Sequence, residues 1–156
     1  MLMQHVVVTT DAFLVVGVRT RTTQRIEAVP QTARIPALWR RFFVDDVSAI
    51  IPARLANADV IAIYSNYENE DRGPYSLLIG RKVETLDQIP KGMNGMLAPA
   101  GRYLCFTANG PLPETPIAAW QEIRQFFALS HEYERAYTVD YEVHHADAIE
   151  IYVAVK

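Results

Sequence analysis

Hydrophobic and polar positions alternate at a period of two through Tyr137-Thr-Val-Asp-Tyr-Glu-Val-His144 and again through Ile149-Glu-Ile-Tyr-Val-Ala-Val155, with a hairpin-sized break at His145-Ala-Asp-Ala148. That spacing predicts two strands of a hairpin. Asp140, Glu142 and His144 then share one face, and Val139, Tyr141 and Val143 the other. The same period predicts strands over 13–19, 60–68, 75–83 and 102–108. Gly17, inside the first of these, predicts a bulge or a close backbone approach. Two segments change to a three-and-four spacing. Ile35, Leu38, Trp39 and Phe42 predict a helix with Thr32 as its N-cap, and Ile117, Trp120, Ile123 and Phe127 predict a second with Thr115 as cap and Pro116 in its first turn. The Asn69-Glu-Asp-Arg-Gly-Pro74 stretch reads as a turn, and 84–100, rich in Pro, Gly, Asn and Met, as a linker.

Strand, Trp-bearing helix, strand and returning strand therefore occur twice in the same order. The halves run over about 11–84 and 101–156 of one domain spanning 1–156. The segments Asn66-Tyr-Glu68 and Asp140-Tyr-Glu142 echo each other. The pattern predicts an α+β fold of duplicated β-α-β-β units with pseudo-two-fold symmetry, a curved antiparallel sheet and two long helices. A groove between the halves is the natural ligand site.

Composition narrows the chemistry. The 156 residues are 50% hydrophobic and 21% charged, which suits a globular domain with a core of its own. A net charge of -3 without extended Lys/Arg clusters argues against nucleic acid as a direct partner. Cys105, the single cysteine, excludes an intrachain disulfide and a cysteine-based zinc site. No apolar run approaches the length of a membrane helix and the N-terminus lacks the form of a secretory signal, so the expected location is the cytoplasm. His144 and His145 are adjacent on a strand and point to opposite faces, so no metal site is expected. No glycine loop for a phosphate cofactor and no G-x-S-x-G elbow is present, and no cofactor is expected.

Glu142 is the residue that asks for a chemical explanation, because a carboxylate flanked by aromatic and apolar strand residues is costly unless something pairs with it. It would otherwise be a solvated strand residue or a partner of a nearby Arg. Tyr64 and Tyr152 are expected on the sheet face of Glu142. Trp120, Trp39 and Phe106 are divided between pocket wall and core. Glu68 reads as solvated beside its turn.

Ile35-Pro-Ala-Leu-Trp39, Tyr64-Ser-Asn-Tyr-Glu68, Gly110-Pro-Leu-Pro-Glu114, Arg135-Ala-Tyr-Thr-Val-Asp-Tyr-Glu142 and the terminal strand resemble the DNA gyrase inhibitor-like, AraC-type effector-binding domains. Within them the stand-alone, integron-associated effector-binding proteins are the most similar. The resemblance covers nearly the whole chain, and leaves no room for a helix-turn-helix domain. It implies a pocket for amphipathic, cationic aromatic compounds, with Glu142 as the carboxylate at its base and Trp120, Tyr64, Tyr152, Trp39 and Phe106 as its ring-bearing candidates. It also keeps open hydrolysis of strained or electrophilic small molecules by the same glutamate, and action through a protein partner such as a transcription regulator or gyrase.

Overall fold

A computed structural model describes residues 4–57 and 59–156. Eight strands form one antiparallel sheet: β1 (His5–Thr10), β2 (Phe13–Thr22), β3 (Val60–Ser65), β4 (Tyr75–Val83), β5 (Asn94–Ala98), β6 (Gly101–Ala108), β7 (Arg135–His144) and β8 (Ile149–Val155). Four helices interrupt them: α1 (Gln24–Glu27), α2 (Ile35–Val44), α3 (Val47–Ile50) and α4 (Glu114–Leu129). The sheet order is β1-β6-β8-β7-β3-β4-β2-β5. It reads alike from both ends: β7 and β3 meet at the centre, and each edge strand joins the first long strand of the other half, β1 on β6 and β5 on β2.

Two strands were not expected. The first, β1, carries the run Val6-Val-Val8, and its exposed edge position gives it no alternation to read. Nothing in Asn94-Gly-Met-Leu-Ala98 favours a strand either. This β5 segment forms because the free edge of β2 offers it a ladder, from Phe13 opposite Ala98 to Gly17 opposite Asn94.

Both predicted caps move. Helix α2 starts at Ile35, and Glu27 of α1 receives the backbone N–H groups of Arg34 and Ile35 at 2.9 and 3.0 Å. A carboxylate at a helix start satisfies two orphan donors and opposes the helix dipole. Thr32 instead donates its hydroxyl to the carbonyls of Ile26 and Val29. Helix α4 starts at Glu114, one residue before Thr115, whose N–H bonds the carbonyl of Pro111. Ile117, expected on the buried stripe, is exposed, and Ala119 and Ile123 are the buried positions of α4.

Alternation sorts the core into layers. Val16, Val18, Ala62, Leu77 and Ile79 lie under α2 with Leu38 and Phe42, while Leu104, Phe106, Ile151 and Val153 lie under α4 with Ile123. The opposite face carries Val15, Ile61, Ile63, Leu78, Tyr103, Val139, Tyr141 and Val143, with no helix over it. Curvature closes that side. Phe13 of β2 and Tyr141 of β7 stand three strands apart in the sheet order, about 14 Å in a flat sheet. Their ring centroids are 5.1 Å apart.

Gly17 makes the expected close approach. It faces Gly80 in an unbroken β2–β4 register, and a Cβ on Gly17 would lie 2.6 Å from the Gly80 Cα and 2.0 Å from the Ile79 carbonyl oxygen. These neighbours are backbone and cannot swing away. We expect Gly17→Ala to destabilise the fold by about 1–3 kcal/mol, the cost of overpacking. A thermal melt that matches the unsubstituted protein would show that β2 and β4 can separate there.

Candidate functional site

Glu142 lies two residues before the end of β7 on the helix side, 3% exposed, at the seam between the α2 and α4 layers. Each layer sends it a donor. Its Oε2 accepts the Tyr64 hydroxyl of β3 at 2.8 Å and the Trp120 indole N–H of α4 at 2.7 Å. Its Oε1 lies 2.7 Å from His144 Nε2. The His144 ring rests 4.9 Å from Trp39 of α2. Across the strand pair from Glu142 stands Ala62, whose small side chain leaves room for the carboxylate and its donors.

A second buried acid is two residues away. Asp140 is fully buried; its Oδ1 accepts the Ala154 N–H at 2.9 Å, and its Oδ2 accepts Arg135 Nη2 and the Tyr67 hydroxyl, both at 2.6 Å. Five residues apart, Arg135 and Asp140 would face opposite sides of a regular strand. An irregularity between them shifts the register, and Tyr137 adopts a left-handed φ of 54° there. Five residues of β7 here span two of β8, from Val155 to Val153, and the three-residue excess turns Arg135 back to the helix side. Its guanidinium covers the Tyr137 ring at 4.4 Å and lies 5.9 Å from the Trp120 ring.

Rings join the two acids into one site. Trp120 meets Tyr64 at 5.4 Å, Tyr64 meets Tyr75 at 5.9 Å, Tyr75 meets Tyr67 at 6.1 Å, and Tyr67 meets Tyr137 at 5.6 Å. Burial, reinforced by the charge of Glu142, holds the Tyr64 phenol well above its usual range. The same causes act on Tyr67, with Asp140 as the charge. Burial pushes Tyr75 up to about 12. All three hydroxyls therefore stay protonated at ordinary pH, and Tyr64 and Tyr67 remain donors. Among its buried residues the cluster thus holds two carboxylates, Glu142 and Asp140, and the Arg135 guanidinium, with His144 beside Glu142, while Glu27 and Arg124 act with opposite charges on Tyr75.

The sequence pattern of the integron-associated effector-binding protein family matches residues 6–155. This chain belongs to that family. It is 32% identical over 148 residues to the Bacillus subtilis (strain 168) protein YobU, named as a candidate transcriptional regulator, with 90% of each chain covered. Among solved structures, an integron cassette protein from the mobile metagenome of Vibrio cholerae superposes with a TM-score of 0.85 at 29% identity, over 99% of this chain and 98% of that one. SAV2435, solved bound to tetraphenylphosphonium, superposes with a TM-score of 0.79 over 99% and 94% of the two chains. At 16% identity that likeness shows the fold alone. The α+β architecture and large curved antiparallel sheet are those of the effector-binding fold.

Within that fold, Glu142, Tyr64 and Trp120 come into direct contact, and Trp39 reaches them through His144. Tyr152 does not join them. Ile151 is the residue opposite Glu142, so Tyr152 stands on the other face, stacked on Tyr141 at 4.6 Å. The expected shared face fails because β8 is registered on β7 one residue away from the pairing it requires, and a one-residue difference reverses a side chain. Phe106 is on the helix side but buried in the α4 core, between Phe126 and Phe127.

The Tyr-Glu echo between the halves does not superpose either. Glu142 is inside β7, whereas Glu68 lies beyond the end of β3 in the turn, exposed and paired with Arg21. Glu142 lines neither of two clefts on the molecule, one on the opposite face and one at the end of α4; Trp120 and Tyr64 lie against its carboxylate through their hydrogen bonds to Oε2. Six contributors were not among the sequence candidates: Asp140, His144, Arg135, Tyr67, Tyr75 and Tyr137. Strand parity with Glu142 is the legible signal for Asp140 and His144; the other four had none.

His145 turns away from His144, to Asp59 and Glu150 at 3.1 and 2.6 Å. Among the described residues no group of three or more His, Cys, Asp or Glu is arranged to hold a metal ion, and no helix is long and apolar enough to cross a membrane.

Proposed function

We propose that this protein binds lipophilic cations between α2 and α4, with Glu142 as the counter-charge. The observation that carries this reading is the charge balance of the buried groups: Glu142 and Asp140 are both buried, and Arg135, the buried cation beside them, is committed to Asp140. Glu142 is held by hydrogen bonds from Tyr64, Trp120 and His144. A carboxylate so placed gains more from a cation than from neutral donors, because attraction grows as water is excluded. Rings of Trp120, Tyr64 and Tyr75 supply apolar area and, facing a cation, about 0.5–2 kcal/mol each.

Binding has a structural consequence. The ligand must take the place of the Trp120 indole at Oε2, so the two tryptophan-bearing helices separate or α4 shifts along the sheet. The solved complex of a fold relative with tetraphenylphosphonium agrees in ligand class. Hydrolysis by Glu142 is less well served, since both of its oxygens face protein donors and leave no place for an activated water.

Titration calorimetry with tetraphenylphosphonium, rhodamine 6G and benzalkonium, with triphenylphosphine oxide as the neutral control, tests the reading. Saturable binding of the cations, with a change in tryptophan fluorescence as Trp120 leaves Glu142, is expected. Equal affinity for the neutral control, or no saturation by any of the three cations, would overturn it.

A further inference from the structure

The face of the sheet without helices carries a cleft of about 420 Å³, within the size range of small-molecule sites. It crosses from β5 over β2, β4 and β3 to β7. Leu78, Met96 and Val139 supply apolar wall, and Ser65 and Thr138 supply hydroxyls. One lining side chain is charged: Arg19 of β2. No carboxylate lines the cleft. Arg21, two residues further along the same face, is satisfied by Glu68, Ser76 and the Asn66 carbonyl, while Arg19 has no hydrogen-bond or ion-pair partner among the described residues. The Ser65 hydroxyl likewise bonds to no described group, although its residue is 6% exposed.

An unpaired guanidinium beside hydroxyls in a half-enclosed apolar cleft has the donors and the charge for an anion, and the walls favour an anion with an aromatic or aliphatic body. We propose that this cleft is a second small-molecule site, specific for amphipathic monoanions such as aryl sulfonates or carboxylates, with Arg19 as the counter-charge. The site is separate from Glu142. Ser65 and Val139 line the cleft, whereas their chain neighbours Tyr64 and Asp140 point to the helix side, so the thickness of the sheet lies between the two ligands. The two faces of one sheet are thus selective for opposite charges.

The anionic probe 8-anilinonaphthalene-1-sulfonate and its uncharged relative N-phenyl-1-naphthylamine, both read by fluorescence, test the inference on the full chain. One saturable sulfonate site is expected. Arg19→Gln, at an exposed position that the fold does not need, should weaken the sulfonate about tenfold, as loss of a charge-assisted hydrogen bond does, and the neutral probe less than twofold. Thr138→Trp should abolish both by filling the cleft. Saturating tetraphenylphosphonium should leave the sulfonate affinity unchanged. Absence of saturation, equal sulfonate affinity in Arg19→Gln, or competition by tetraphenylphosphonium would each overturn the inference. The last result would place the probe on the helix side and leave cation binding at Glu142 intact.

Discussion

Glu142→Gln should lower the affinity for tetraphenylphosphonium by about a hundredfold or more, roughly 3 kcal/mol, and that for triphenylphosphine oxide by less than threefold. The amide keeps one oxygen for the Trp120 and Tyr64 donors, so the apo site loses its charge and little of its shape. The difference between the two ligands isolates the Coulombic part. It is large because Glu142 is 3% exposed, where neither water nor salt screens the pair. Raising the salt concentration should therefore leave the cation affinity of the unsubstituted protein nearly unchanged. Calorimetry of both proteins with both ligands checks this, and equal losses for cation and neutral would remove Glu142 as the counter-charge.

The largest effect on stability is expected at Asp140. Asp140→Ala strands the Arg135 guanidinium, the Tyr67 hydroxyl and the Ala154 N–H without an acceptor in a buried place. Breaking one side of a buried ion pair costs about 3–5 kcal/mol. Because Asp140 also ties β7 to β8 beside the irregular segment at Tyr137, the loss should extend to the position of Trp120, over which Arg135 lies. Denaturant unfolding of Asp140→Ala, Arg135→Met and the double variant measures the coupling. The double variant should recover much of the loss, since it removes the uncompensated charge. If the loss in the double variant equals the sum of the two single losses, Asp140 and Arg135 are not coupled.

Much of this architecture could be read from residue order. The β4 and β8 strands start and end where alternation places them, and both Trp-bearing helices were visible in their three-and-four spacing. Parity on β7 put Asp140, Glu142 and His144 on one face before any partner was known. Other features had no local signal. Glu27 caps a helix eight residues ahead, and β5 exists because β2 has a free edge. Tyr152 changes face through register, a property of two strands and not of one.

The site divides along the same line. Period-two and period-three-and-four patterns are local properties of the backbone, and they determined that Glu142 sits on a half-buried strand face and that Trp39 and Trp120 ride on amphipathic helices. The tertiary structure decided which side chains meet the carboxylate. It brought Tyr64 across 78 positions of chain and Trp120 across 22, and it turned Arg135 toward Asp140 through an irregular stretch in which five residues of β7 span two of β8. Hydrogen bonds and ion pairs act over about 3 Å, so the chemistry of Glu142 depends on distances that strand order, register and a single left-handed residue set together.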